Sequence, residues 1–478
     1  MSTLAPARLA SLLGDWRAQG PAYRDLADAV RVLIIDGRIP DGTRLPSERS
    51  LAEELDVSRT TTTRAYEELR ERDLATAVQG SGTRVTVPFR ESAASAMIAF
   101  DEPDGTISLA HAAGAAPAGL RSAFERALER MPGTFATTGY LPDGHGSLRE
   151  RIAEHHSRQG LPTDPEQIIV TSGAQGALSI VAATVVRRGR PAIVEACAFP
   201  HGLEAFEAEG ARPLPLPTGP TPWQVEDLRS AAASAEVALL NPDFHNPTGA
   251  LMPADDREQI AAAMRREGTL MIVDETMREL NLDGIEMPPP LASFAPDAIT
   301  VGSLSKVAWG GLRVGWIRAP HHLVNALVQT RVRMDLGSSA FEQLVAAEVM
   351  EGAIPAERRA DLRVQRDVFV RALRRELPDF AFGVPAGGLN LWVELPGPLS
   401  SRLTTAALER RLRLLPGPRF FTGRSPAGER FIRLPFAQPV DVLERAVERL
   451  AAAWRAVDGG VATGAIAAGQ PTGLDLIA

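Results

Sequence analysis

The sequence is almost without cysteine and lacks long hydrophobic runs. Cys197 is the only cysteine, which excludes an internal disulfide and fits a reducing compartment such as the cytoplasm. It lies in the apolar run AIVEACAF, so we expect it to be buried. No run of about 18 apolar residues is present. The N-terminus also lacks the apolar core and small-residue cleavage site of a signal peptide. These absences predict a cytoplasmic protein with no membrane partner.

Basic residues are also fewer than acidic residues. The chain carries 51 basic against 59 acidic residues, a net charge of −8, which argues against non-specific coating of nucleic acid. The deficit is uneven, because residues 1–90 contain 13 arginines and 13 acidic residues and are neutral. A local basic surface near the N-terminus is therefore compatible with the acidic total.

Lysine is nearly absent, since Lys306 is the only one among the 51 basic residues. A GC-rich genome explains the preference for arginine as a whole, but it does not explain the exception. Lysine differs from arginine in that its amine can lose a proton and attack a carbonyl group. Lys306 is therefore a candidate for forming a Schiff base.

Residues 22–87 predict a small helical domain that closes with a β-hairpin. Apolar residues recur at helical spacing in AYRDLADAVRVLIIDG (22–37). Ser47 and Ser58 each open a further helix, because serine caps helix N-termini. Two short strands, LATAVQ and TRVTV, flank a GSG turn. This order predicts a winged helix–turn–helix within residues 1–87, followed by a linker over 88–106.

From about residue 107 to about 455, short apolar runs alternate with helical patterns. The runs are IIVTSG, PAIVEA, VALLNP, LMIVDE and AITVGSLSK. The alternation predicts an α/β domain with a mostly parallel sheet, and a smaller C-terminal α/β lobe begins at about residue 355. The Gly/Ala-rich residues 456–478 are predicted to be a flexible tail. No metal-ligand spacing is found, and the adjacent pair His155 and His156 is assigned to a helix surface.

Five short segments of this domain carry groups suited to one phosphorylated cofactor. Lys306, in SLSK, follows a strand. Asp274, in VDE, ends another strand and can pair with a pyridinium nitrogen. Asn246, in NPTG, offers an amide to a ring hydroxyl. The turn TSGAQGA offers backbone N–H groups and a helix dipole to a phosphate, and Arg313, in GLRVGW, can bind a phosphate bidentately.

In this order, the five segments resemble those of fold-type I aminotransferases over about residues 107–455. The resemblance implies that pyridoxal 5′-phosphate forms a Schiff base with Lys306. It places Asp274 at the pyridinium nitrogen and Asn246 at the ring hydroxyl. It also implies contacts to the cofactor phosphate from two side chains and three backbone amides, those of Ser303, Arg313, Gly173, Ala174 and Gln175.

Three further residues take roles from the same resemblance. Phe199 would lie against the cofactor ring, and Tyr140 would reach the phosphate of the neighbouring subunit. Arg433, in FIRLPFA, would bind the α-carboxylate of an amino acid. The chain departs from the family where a tyrosine usually follows the aspartate by two or three residues. Thr276 and Met277 stand there instead, which weakens the case for efficient transamination.

The N-terminal domain resembles the GntR-type winged helix–turn–helix over residues 44–85. In such a motif the second helix enters the major groove with its N-terminal residues leading. Arg59 leads that helix here and can read guanine or bind phosphate. Residues 60–63 are four threonines, poor helix formers, which we interpret as an outward surface that uses the hydroxyls. The other candidate DNA contacts are Arg44, Arg49, Ser58, Thr60, Thr61, Thr63 and Gly80.

The pairing of these two domains resembles MocR-type transcription regulators. The resemblance implies a homodimer, and a head-to-tail arrangement is compatible with it. We predict a regulator that binds operator DNA and pyridoxal 5′-phosphate. It would respond to an amine or amino-acid effector, or to the cofactor itself. The alternative is an active aminotransferase that carries an accessory DNA-binding module. We predict that the chain is not primarily an enzyme, although aminotransferase-type half-reactions stay open.

Overall fold

The structure, a computed structural model, describes residues 3–14, 16–17, 20–35, 38–39, 42–72, 74–78, 82–86, 105–216, 222–352, 354–422 and 425–458. Most of the predicted linker and all but the first three residues of the predicted tail lie outside these ranges. The described residues divide into two compact units. One comprises those of 1–106, 401–413 and 448–478, and the other those of 107–400 and 414–447.

The first unit contains the helices and hairpin predicted for a winged helix–turn–helix. Its elements before residue 105 are α1 (Pro6–Leu13), α2 (Ala22–Ile35), α3 (Glu48–Glu54), α4 (Arg59–Glu71), β1 (Ala75–Val78) and β2 (Gly82–Val85). The Oγ of Ser47 accepts a hydrogen bond from the N–H of Ser50, and Ser58 caps α4 in the same way. Helix α1 was not predicted. Its Leu9 and Leu13 join the apolar core of this unit.

The elements after residue 105 alternate as the sequence predicts. The strands are β3 (Ile107–Ser108), β4 (Ile168–Thr171), β5 (Pro191–Val194), β6 (Arg212–Pro215), β7 (Val237–Leu240), β8 (Leu270–Asp274), β9 (Ile299–Ser303), β10 (Gly315–Arg318), β11 (Asn390–Glu394), β12 (Leu412–Arg413) and β13 (Phe431–Pro435). The helices are α5 (Leu120–Arg130), α6 (Pro132–Phe135), α7 (Gly146–Arg158), α8 (Ala174–Val185), α9 (Pro200–Ala208), α10 (Val225–Ala232), α11 (Ala254–Glu267), α12 (His321–Met334), α13 (Ala340–Glu351), α14 (Ile354–Glu376), α15 (Ser400–Leu408) and α16 (Val440–Asp458).

A seven-stranded sheet in the order β4-β10-β9-β8-β7-β5-β6 is the centre of the second unit. Its inner pairs are parallel, and β10 alone runs antiparallel to its two neighbours. Successive residues of one strand enter different apolar cores: Met271 and Val273 one core, Ile272 the other. Helices therefore cover both faces, as a mostly parallel sheet requires. The predicted α/β fold class is confirmed.

Burial confirms one prediction about this unit and overturns another. Cys197 is buried, as its apolar run predicts. His156 is also buried, at 2% exposure, so its assignment to a helix surface is wrong. Adjacent helical residues point apart, and this one faces the sheet, where its Nε2 accepts a hydrogen bond from Trp316 at 3.2 Å. Burial lowers the pKa of His156 to about 3, so its ring is neutral. None of the described helices combines the length and apolarity needed to cross a membrane.

Candidate functional site

The candidate cofactor site lies at the edge of the sheet where β8 and β9 end. Asp274 is the last residue of β8 and Ser303 the last residue of β9, and Lys306 follows three residues later. The two strands are parallel neighbours, so their ends meet at one edge. Ligand crevices of open α/β sheets lie at this carboxyl edge. The topology thus brings together the predicted amine and the predicted acid.

The amine of Lys306 is held ready for reaction with a carbonyl group. Its Nζ donates a hydrogen bond to the carbonyl oxygen of Ala112 at 2.9 Å. Burial lowers the pKa of Lys306 to about 8, the positive charge of Arg433 acts in the same direction, and Asp274 opposes both. With this pKa about a tenth of the amine is neutral at pH 7, and the neutral amine is the nucleophile.

We expect the rate at which pyridoxal 5′-phosphate attaches to Lys306 to rise steeply with pH and to level off above about pH 8. Below its pKa the neutral amine fraction grows about tenfold for each pH unit. Stopped-flow absorbance between about pH 6 and about pH 9 measures this rate. The Arg433→Ala variant should shift the profile to higher pH, because it removes a positive neighbour of the amine. A rate that does not change with pH across this range would contradict the prediction.

Asp274 is held by a hydrogen bond from Thr276, one of the two residues at the position where the family has a tyrosine. The N–H of Thr276 donates to Oδ1 of Asp274 at 2.9 Å. Burial raises the pKa of Asp274 in this structure, and a positively charged ring nitrogen beside it would favour the charged carboxylate. Met277 is buried and has no hydrogen-bond donor to offer a ring hydroxyl. The structure therefore keeps the acid in place but does not replace the tyrosine hydroxyl.

Asn246 and Arg433, which lie far apart in the sequence, meet directly. Oδ1 of Asn246 accepts hydrogen bonds from Nη1 of Arg433 and from Nδ2 of Asn390, both at 3.2 Å. No described residue accepts a hydrogen bond from Nδ2 of Asn246. This amide N–H₂ group is thus free to donate to the oxygen of a ring hydroxyl.

Arg433 is a buried cation without a carboxylate partner among the described residues. It is 2% exposed, and burial lowers its pKa to about 9. Its Nη2 donates to the carbonyl oxygen of Ala110 at 2.5 Å, while its Nε has no partner. Its guanidinium carbon lies 4.7 Å from the ring centroid of Phe420. Buried charges are normally paired, so this guanidinium suits an anionic group of a ligand.

The turn from β4 into α8 is the candidate phosphate cradle. Gly173 caps α8 with φ 85°, and a Cβ there would lie 2.8 Å from Nη2 of Arg313, so only glycine fits. Nη2 of Arg313 donates to the carbonyl oxygen of Ser172 at 2.6 Å. The N–H of Gly173 is already donated to Thr171. The first-turn N–H groups that follow, led by Ala174, have no partner within the helix and suit a phosphate.

The remaining predicted cofactor residues are Ser303, Gln175, Phe199 and Tyr140. The hydroxyl of Ser303 donates to the carbonyl oxygen of Val314 at 3.1 Å. The side chain of Gln175 donates to the carbonyl oxygen of His201. The ring of Phe199, at the start of α9, contacts the ring of His201 edge-on at 5.1 Å. Tyr140 is 67% exposed and is not brought to the site of its own chain, so its role across subunits stays a prediction.

The sequence analysis missed a buried polar network behind the NPTG turn. Glu195 accepts hydrogen bonds from Trp223 and from the N–H of Asn241, both at 2.7 Å. Nε2 of His245 lies 3.3 Å from the same carboxylate, and its Nδ1 lies 2.8 Å from the hydroxyl of Thr248. The network anchors the residues on both sides of Asn246. Its only sign in the sequence is the histidine directly before NPTG. A single residue forms no periodic pattern, so it did not indicate a buried network.

These residues fit pyridoxal 5′-phosphate. The donor set contains an amine of lowered pKa, a half-buried acid at a strand end, a free amide and a cradle that a Cβ at Gly173 would fill. When bound, the group supplies an aldehyde carbon and a ring that accepts electrons. Lys306 would hold the aldehyde, Asp274 the ring nitrogen, and Arg313 with the start of α8 the phosphate.

The candidate DNA-binding surface lies at the start of α4. Ser58, Arg59 and Thr60 are exposed there. Arg44 is also exposed and lies against the wing, since a Cβ at Gly82 would be 3.3 Å from its Nε. Arg49 forms an exposed ion pair with Glu53 at 2.9 Å, and Gly80 lies outside the described residues. Arg59 is thus the exposed guanidinium at the leading end of the recognition helix.

The threonines of α4 face inward more than predicted. Thr62 is fully buried, and its hydroxyl donates to the carbonyl oxygen of Glu48 at 2.9 Å. The hydroxyl of Thr63 donates to the Glu48 carboxylate at 2.7 Å, and that of Thr61 lies 2.8 Å from Oγ of the capping Ser58. The interpretation of residues 60–63 as one outward surface is therefore wrong for Thr62, because α4 packs against α3 through this side.

Comparisons with known proteins agree with both units. The family model of aminotransferase class I and II matches residues 113–450, and that of bacterial regulatory proteins of the gntR family matches residues 22–85. The chain is 26% identical to the probable rhizopine catabolism regulatory protein MocR of Rhizobium meliloti, over 77% of this chain and 80% of that protein. It is 32% identical to 2-aminoadipate transaminase of Thermus thermophilus, over 68% of this chain and 81% of that protein.

A solved structure is similar to the larger part of the chain. It is the α-aminoadipate aminotransferase LysN of Thermus thermophilus, in complex with N-(5′-phosphopyridoxyl)-L-leucine. The similarity has a TM-score of 0.66 at 28% identity, and it covers 75% of this chain and 94% of that one. The fold-type I architecture expected from the sequence is thus confirmed.

Proposed function

Because the chain belongs to the aminotransferase class I and II family and carries a GntR-type domain, we propose that it is a transcription regulator with operator DNA and pyridoxal 5′-phosphate as ligands. It would respond to an amine or amino acid, or to the cofactor itself. The observation that carries this proposal is the presence in one chain of a helix with an exposed arginine at its start and a half-buried amine of lowered pKa. Arg59 leads the helix, and Lys306 carries the amine beside Asp274.

Different residues of the second unit would bind the cofactor and the effector. Lys306 would hold the cofactor covalently, and Asp274 and Asn246 would orient its ring. Arg433 would bind the carboxylate of an amino-acid effector, because a guanidinium fork matches two carboxylate oxygens. The effector would act by shifting the population of states in which the two DNA-binding domains have a given spacing.

The test is whether the two sites are coupled. Coupling between two binding sites is reciprocal, so an effector that changes operator affinity must have its own affinity changed by operator by the same factor. Operator affinity is measured by fluorescence anisotropy with and without each amino acid. Effector affinity is measured by absorbance with and without operator. Two independent affinities, neither altered by the other ligand, would refute a regulatory role for the amino acid.

We expect the Arg433→Ala variant to lose the response to an amino-acid effector while it still binds cofactor and operator. Asn246 keeps Asn390 as a hydrogen-bond partner when Arg433 is removed. No described carboxylate loses a partner, although the carbonyl oxygen of Ala110 loses its donor, and circular dichroism checks that the variant folds. Operator anisotropy in the presence of amino acids measures the response. A response that survives in the variant points to an amine without a carboxylate, or to the cofactor, as the signal.

We further propose that the chain is a cytoplasmic homodimer, with the head-to-tail arrangement that its resemblance allows. Three large side chains, Leu128, Phe135 and Tyr140, are 63%, 73% and 67% exposed within a short stretch of the second unit. Exposed apolar groups that cluster in this way suit a protein–protein contact. Tyr140 would then approach the phosphate of the partner. The domain limits 1–87, 88–106, 107–455 and 456–478, with the small lobe from about 355, are part of the proposal.

An aminotransferase with an accessory DNA-binding module is the second candidate function. It is favoured by the complete set of Lys306, Asp274, Asn246 and Arg433, which the fold brings to one place. Buried Met277, in place of a tyrosine hydroxyl, counts against rapid turnover. Keto-acid production over many turnovers by the wild type, without operator binding at any salt concentration, would select the enzyme.

A further inference from the structure

We propose that the effector is an amino acid with a second carboxylate, and that Arg358 binds this distal carboxylate while Arg433 binds the α-carboxylate. The inference rests on the proposed function, since it specifies the ligand of the same site. It is carried by the burial of Arg358, by its lack of a partner and by its position beside the residues that contact Lys306 and Arg433.

Arg358 is a buried guanidinium without a counter-charge in contact. It lies on α14 and is only 7% exposed. Its Nε has no hydrogen-bond partner, and no described residue forms a hydrogen bond or an ion pair with it. Asp361, one turn further along the same helix, acts on it only through space. Arginine is almost never buried unless it is paired, so this side chain has a partner that the described residues do not supply.

Arg366 shows what a structural arginine on the same helix looks like. It is as deeply buried as Arg358, at 4% exposure. Its guanidinium forms ion pairs with Asp283 at 2.7 Å and with Asp367 at 2.9 Å, and it also donates to a backbone carbonyl oxygen. The contrast indicates that Arg358 is not buried for a role within the fold.

One five-residue segment places Arg358 at the ligand site. The carbonyl oxygen of Ala110 accepts from Arg433, and that of Ala112 accepts from Lys306. Two residues further on, a Cβ built at Gly114 would lie 2.0 Å from Nη2 of Arg358, so the guanidinium packs directly against this glycine. Alternate residues of the segment thus lie against three cations in turn.

The balance of charge then identifies the class of ligand. Arg313 and the start of α8 suit the phosphate of the cofactor, and Arg433 suits an α-carboxylate. Arg358 is left over, although its charge also acts on Lys306 and helps to lower the pKa of that amine. A carboxylate matches a guanidinium bidentately. An effector with carboxylates at both ends therefore pairs both buried arginines.

The experiment compares acids with their amides on the full-length chain loaded with pyridoxal 5′-phosphate. Visible absorbance is titrated with L-glutamate and L-glutamine, and with L-aspartate and L-asparagine, to obtain dissociation constants. We expect the wild type to bind at least one acid about tenfold or more tightly than its amide. In Arg358→Gln this ratio should fall to about one while the affinity for the amide is unchanged. The matched control is Arg371→Gln, an exposed position on the same helix, which should keep the wild-type ratio.

A second measurement removes the amine from the ligand. Calorimetry should show that glutarate binds the loaded wild type more tightly than butyrate does, and that Arg358→Gln abolishes the difference. Equal affinity of the wild type for acids and amides overturns the inference, whether or not the variant folds. So does a preference for acids that persists in Arg358→Gln. A wild type that shows no cofactor band, or that does not bind operator DNA, would instead refute the proposed function.

Discussion

Lys306→Ala is expected to abolish the visible absorption band of the protein-bound cofactor and to leave the fold intact. The chain contains no second lysine that could take over the covalent bond. Burial lowers the pKa of Lys306 to about 8, so the folded state disfavours the charged form of the amine. Removal of the amine is therefore not expected to destabilise the protein. Absorbance spectra of the loaded variant and its circular dichroism measure both parts of the prediction.

Lys306→Arg is the matched control for charge. Arginine keeps a positive charge beside Asp274 but cannot lose its proton to attack an aldehyde, so this variant should also lack the band. Borohydride reduction of the wild type, followed by peptide mapping, should place the adduct on Lys306. An adduct on the N-terminal amine, or a band that survives in Lys306→Ala, would show that the site has been misassigned.

Arg59→Ala is expected to weaken operator binding by about 1–3 kcal/mol if Arg59 reads a base. The side chain is exposed at the first residue of α4, and the N-terminal residues of a recognition helix are those that reach base edges. Anisotropy titrations with operator and with unrelated DNA, at several salt concentrations, measure the loss. The cofactor band should not change, because Arg59 belongs to the other compact unit.

Arg70→Ala is the matched control for Arg59. It removes an arginine of the same helix in its last turn, about 16 Å further along the axis. Operator affinity should stay near the wild-type value in this variant. An Arg59 that contacts phosphate instead would weaken operator and unrelated DNA equally and lower the salt slope by about one. Wild-type operator affinity in Arg59→Ala would remove the residue from the DNA-binding surface.

Local signals predicted the features whose physics is local. Ser47 and Ser58 cap helices because a hydroxyl placed just before a helix can accept from its first N–H groups, whatever the rest of the chain does. Asp274 and Ser303 end neighbouring parallel strands, so an alternation of strands and helices was enough to expect them at one edge. The candidate cofactor residues could therefore be predicted from local signals together with the family resemblance.

Predictions failed where the answer depended on which side of a helix meets another element. His156 and Thr62 were both assigned to surfaces, and both are buried because their helices pack through that side. Arg358 was not singled out at all. An arginine within an Arg-rich helix gives no sign in the sequence that it is buried, while its neighbours on the same helix are exposed or paired.

The sequence by itself determined the two domain types, and it predicted the lysine, acid, amide and arginine of the candidate cofactor site. These follow from capping residues, strand ends and a single reactive amine, all of which act over a few residues. Only the tertiary structure decided that Arg433 meets Asn246, that Ala110 to Gly114 lies against three cations, and that Arg358 is buried without a partner. Those contacts join residues separated by hundreds of positions, and burial is set by the packing of whole elements rather than by local spacing.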